Sequence, residues 1–96
     1  NAAEAVMGVI EGDAVCVALL AFLKTQGNAW QGRPEELLTH LNNFAPEGAK
    51  REKGWPRNPQ VMSGCLHLAM TSLRKIGVMI NRRKSHGVRT IEIIQK

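Results

Sequence analysis

Ninety-six residues make one small domain, long enough for a single core without help from metal or disulfide. The longest apolar run, Ala14 to Leu23, is too short to span a bilayer, and no signal peptide precedes it, so a soluble intracellular (cytoplasmic) domain is expected, with no membrane partner. The net charge of +5 is unevenly spread: residues 1–49 hold two basic and six acidic side chains (−4), residues 50–96 eleven and two (+9), which points to a half that faces a polyanion.

The chain opens at Asn1-Ala2-Ala3 without methionine, which fits a domain cut from a longer protein, with the first residues left by a tag. Residues 1–12 are taken as an N-terminal extension. The first helix is expected in "GDAVCVALLAFLKTQG", with Asp13 as its cap, Lys24 in its last turn and Gly27 as a left-handed exit. It is apolar on nearly every side and should be the most buried. "NAWQG" follows as a brief strand anchored by Trp30. "RPEELLTHLNNFA" starts a second helix at Pro34, puts Glu35 and Glu36 in its first turn, and buries Leu37, Leu38, Leu41 and Phe44. "PEGAKREKGWPR" breaks every period and reads as a loop carrying Lys50, Arg51, Lys53 and Arg57, mobile unless something orders them.

Asn58 caps the third helix and Pro59 opens it. Its core stripe is Met62, Cys65, Leu66, Ala69, Leu73 and Ile76, and Gly77 stops it. The opposite face shows Gln60, Ser63, Gly64, His67, Thr71 and Arg74. Alternation then replaces the helical period, and "VMINRRKS" and "VRTIEIIQK" flank His86-Gly87 as an antiparallel hairpin with a two-residue turn. That turn sets Ser85 against Val88, Lys84 against Arg89, Arg83 against Thr90, Arg82 against Ile91 and Ile80 against Ile93. One face then carries Val78, Ile80, Arg82, Lys84, Arg89, Ile91 and Ile93, apolar at its base and basic at its tip. Arg83 points the other way, diagonally near Glu92, where an ion pair accounts for it. Lys84 opposite Arg89 is a destabilising like-charge pair unless an anion lies between them.

The resulting class is mainly α with a small β hairpin: a winged helix-turn-helix over residues 13–96, with three helices, a short strand and a two-stranded wing. The run "WPRNPQVMSGCLHLAMTSLRKIGVMI", with "AWQGRPEELLTHLN" before it and "HGVRTIEI" after it, resembles the C-terminal winged-helix domain of primase-helicase and replicative ATPase proteins of phages, plasmids and integrated mobile elements. The resemblance covers about residues 13 to 95, and its most telling part is Trp55-Pro56 followed by the Asn58-Pro59 helix ending in Arg74-Lys75-Ile76-Gly77. It implies a non-catalytic nucleic-acid-binding module of a replication protein, with duplex DNA and the remainder of the parent protein as partners. Relatives carry extra arginines along the third helix where this chain has Gly64, His67 and Leu68, which moves the weight of DNA contact to the wing.

Arg82, Lys84 and Arg89 are accordingly expected at phosphates. Gln60, Ser63, His67 and Arg74 are the helix-face candidates, Gln60 being able to pair with adenine. No catalytic, metal or cofactor site is expected. His40, His67 and His86 each lack a second ligand at metal spacing, and no phosphate-cradling glycine loop is present. Cys16 and Cys65 lie in apolar runs and are expected to be reduced and buried. The rival reading is a winged helix that docks onto its parent ATPase or a replication partner, favoured by Gly64, Leu68 and the few arginines of the third helix.

Overall fold

The computed structural model describes residues 12–96. The extension expected over residues 1–12 therefore lies, up to residue 11, outside the described residues. Helix α1 (Ala14–Thr25) begins where the Asp13 carboxylate accepts hydrogen bonds from the backbone N–H groups of Val15 (3.0 Å) and Cys16 (3.4 Å). It ends at Gly27, whose φ of +69° is the left-handed exit expected of it. Val15, Cys16, Ala18, Leu19, Phe22 and Leu23 are all buried, so α1 is the central helix of the core.

Strand β1 (Ala29–Gly32) leads into α2 (Pro34–Phe44), which buries Leu37, Leu38 and Leu41 and half-buries Phe44. Helix α3 (Pro59–Lys75) is capped by Asn58, whose side chain accepts from the Val61 N–H at 2.8 Å, and Gly77 follows its C-cap with φ +91°. Met62, Leu66 and Leu73 are its buried residues, with Ala69, Met70 and Ile76 packed against them. Cys65 departs from the expected stripe, being only half-buried.

The loop from α2 to α3 is more structured than its composition suggests. It contains a 3₁₀ turn, Ala49–Arg51, and buries Ala49, Trp55 and Pro56, while the Trp55 indole N–H donates to Asn42 Oδ1 at 2.8 Å. Gly48 is explained by its left-handed backbone (φ +79°) and the tryptophan by its packing.

Strands β2 (Val78–Ser85) and β3 (Val88–Gln95) form the hairpin in the expected register, and β1 adds to the other edge of β3 to give an antiparallel sheet of order β1-β3-β2. His86 (φ +52°) and Gly87 (φ +79°) both occupy the left-handed region, which is the type I′ turn that a two-residue hairpin loop requires. Val78, Ile80, Ile91 and Ile93 turn inward against the helices. Among the described residues, three helices with a short strand between the first two, followed by a wing, make the winged-helix-like arrangement read from the sequence.

Candidate nucleic-acid interface

The sheet's inner face is buried at its base, but the hairpin is longer than the helices are wide, so its tip overhangs them. Lys84 stands directly opposite Arg89, and Arg82 opposite Ile91, all on that inner side. Beneath the overhang lie the N-terminal turns of α2 and α3. The result is a cleft of about 320 Å³ between Arg33 and Pro34 of the α2 start, Pro59, Gln60 and Ser63 of α3, and Arg89 of the wing. A second hollow of about 250 Å³ continues from it, sharing Pro34, Ser63 and Arg89 and bringing in Arg82, Arg83 and Lys84.

Of the seven residues singled out from the sequence, five thus line one continuous concavity: Gln60, Ser63, Arg82, Lys84 and Arg89. His67 joins them through Arg82, whose Nη2 donates to His67 Nδ1 at 3.3 Å. A guanidinium can only donate, so this contact assigns the imidazole proton to Nε2 and leaves that nitrogen as a donor toward a ligand oxygen. Arg74 lies outside the cluster. It is exposed on the same side of α3, two turns or about 10 Å beyond His67.

Arg83 has the fate expected of it. Its Nη2 lies 3.9 Å from Glu92 Oε1 on the outer face of the sheet, and Asn81 donates weakly to the same oxygen at 3.5 Å. Among the described residues this is the ion pair of the wing, and Lys84, Arg82 and Arg89 take no part in it.

Sequence reasoning missed Arg33. It occupies the N-cap of α2, where Ser, Thr, Asp or Asn would satisfy an orphan N–H, and it makes no side-chain cap. A cation there also opposes the positive end of the helix dipole. That double misfit was the available signal that Arg33 serves something other than the helix. Glu35 lines the same cleft and partly offsets it. The concavity can hold an anionic group between four cations and offer Gln60, Ser63 and His67 as polar contacts beside it. Among the described residues no cluster of His, Cys, Asp and Glu could hold a metal ion, and no helix is long and apolar enough to cross a membrane.

No curated protein and no solved structure matches the chain. The model of the AICE RepA C-terminal domain matches residues 15–96, which is all three helices and the whole sheet except the first residue of α1. The chain therefore belongs to the AICE RepA C-terminal domain family and is the C-terminal domain of a replication protein of mobile elements.

Proposed function

We propose that this domain is a non-catalytic nucleic-acid-binding module, and that it holds the phosphate backbone of duplex DNA in the cleft under its wing. The observation that carries the reading is the pairing of Lys84 with Arg89. Directly opposed like charges weaken a hairpin, yet here they sit at the tip with Arg82 beside them and Arg33 across the cleft. A phosphate between these cations turns the repulsion into attraction. Gln60, Ser63 and His67, on the α3 face beside the wing, are the groups that would meet the groove, with Gln60 able to pair with adenine. The parent protein, in the resembling families a primase-helicase or replicative ATPase, would use such a module to stay on its template.

If Arg33, Arg82, Lys84 and Arg89 each neutralise one phosphate, counterion release from the cleft gives a log-log salt slope of about −3.6. A fourfold rise in salt then weakens binding by roughly two orders of magnitude. Fluorescence anisotropy of a labelled duplex across a salt series reads this directly. Lys84→Ala with Arg89→Ala should flatten the slope by about 1.8, and Arg83→Ala, whose guanidinium is paired with Glu92, should change it much less. Glu35→Gln should move affinity the other way, tightening low-salt binding severalfold by removing the one acid of the cleft. An unchanged slope in the double variant, or no binding by the wild type at low salt, would refute the reading.

The second reading is docking to protein. Leu68 is 85% exposed and Val61 48% exposed, one above the other on the α3 flank turned away from the wing, with Gly64 between them. This surface suits contact with the rest of the parent protein, and such contact would depend little on salt.

A further inference from the structure

The cations of the α2–α3 loop belong to no part of the cleft. Lys50, Arg51 and Lys53 are exposed, and no ion pair engages them among the described residues. A solvated loop normally relieves such crowding by spreading, but this one is tied down. Ala49 and Trp55 are each 5% exposed, and the indole holds Asn42. A chain of turns closes the segment: the N–H of Ala49 donates to Pro46 O (3.0 Å), that of Arg51 to Gly48 O (3.2 Å), that of Glu52 to Ala49 O (3.1 Å) and that of Trp55 to Glu52 O (3.2 Å). Lys50, Arg51 and Lys53, with the exposed Glu52 among them and Glu47 just before, are thus displayed on a fixed scaffold held by burial and hydrogen bonds, and the cations outnumber the acids there by three to two.

The scaffold's position gives the display a purpose. It is fastened at Asn42, in the last turn of α2, whereas the cleft lies at Pro34, in the first. Eight residues of helix separate the two by about 12 Å, which is also about the width of the major groove of B-DNA. One phosphate cannot serve both sets of cations, but two backbone segments flanking a groove can.

We infer that the loop is a second phosphate-contact surface, so that the domain grips two backbone segments of one duplex, one under the wing and one at Lys50, Arg51 and Lys53. The inference rests on the nucleic-acid reading above and extends it to a surface that reading does not use. Each loop cation adds about 0.9 to the salt slope, so the wild type should show about −6.3 rather than −3.6.

The test compares wild type, Lys50→Ala/Arg51→Ala/Lys53→Ala and the wing variant Lys84→Ala/Arg89→Ala against the same labelled duplex across a salt series. The loop variant should lose about 2.7 of the slope and the wing variant about 1.8. Lys50→Arg with Lys53→Arg, which keeps the charge, should retain the wild-type slope. Should the triple variant prove poorly folded by thermal melting, the single reversals Lys50→Glu and Lys53→Glu must each weaken low-salt binding. A loop variant with wild-type slope beside a wing variant with a flattened one overturns the second surface and leaves the first standing. Absence of any low-salt binding by the wild type overturns both.

Discussion

Two adjacent cations of the wing, Arg83 and Lys84, have opposite environments because strand side chains alternate. Arg83 shares the outer face with Glu92, and its side chain stays 70% exposed, so their contact at 3.9 Å is worth less than about 1 kcal/mol. Lys84 shares the inner face with Arg89 and has no carboxylate there. The cysteines differ by depth rather than by face. Burial, helped by the nearby Asp13 carboxylate, pushes the Cys16 thiol up to about 12, and Cys65, less deeply placed, is also raised by burial and Asp13. A raised thiol pKa removes thiolate, the reactive form, at every pH below it. We predict that a maleimide at pH 8 labels Cys65 in the folded protein well before Cys16, and that Cys16 keeps pace with it only in denaturant. Because the folded Cys16 stays protonated through the window from about 9 to about 12 in which the unfolded thiol ionises, its contribution to stability is complete below pH 9 and is lost as pH rises across that window. Equal labelling of both thiols in the native state would show that Cys16 is not buried as described.

At the level of elements, helix ends and the hairpin turn are governed by a few positions of special backbone. Gly77 and Gly87 both adopt positive φ, but a Cβ on Gly77 would lie 3.0 Å from the carbonyl oxygen of Lys96, while one on Gly87 would meet nothing within 4 Å. Gly87→Ala should therefore cost only the left-handed backbone penalty, about 1 kcal/mol, and Gly77→Ala distinctly more. The Lys96 N–H donates to Gly77 O at 2.9 Å, so the second substitution also loosens the closure between the α3 exit and the end of β3. Thermal unfolding of the two variants checks the order. The reverse order would place the strain at the wing tip instead of at the helix exit.

The molecule as a whole is knit by Phe22. This buried ring stacks on His40 (centroids 4.5 Å, planes 12° apart) and meets Trp30 and Phe44 at 5.8 and 5.7 Å. It thereby joins α1, β1 and the second half of α2 at one point. Trp30, expected to anchor the short strand, is spent on this packing. Phe22→Ala should cost about 3–5 kcal/mol, a large part of the total for a domain of this size. We expect its melting temperature to fall by roughly 15 °C or more, since 1 kcal/mol corresponds to about 4–8 °C at this length. A fall below about 5 °C by circular dichroism would contradict the central place given to this ring.

Most of what depends on neighbours close along the chain was legible in the sequence: the Asp13 and Asn58 caps, the exits at Gly27 and Gly77, the turn at His86-Gly87, and with it the register that opposes Lys84 to Arg89 and directs Arg83 toward Glu92. Caps, turns and strand alternation act over a few residues, so residue type and spacing suffice to determine them. Only the tertiary structure decided that the wing overhangs the starts of α2 and α3, that Arg33 and Glu35 therefore join the wing and α3 residues in one cleft, that Arg82 reaches His67, that Arg74 stays apart, and that Trp55 fastens the basic loop to Asn42. These contacts join segments far apart in the chain, and they depend on the angles at which helices pack on a twisted sheet, which no local period of the sequence records.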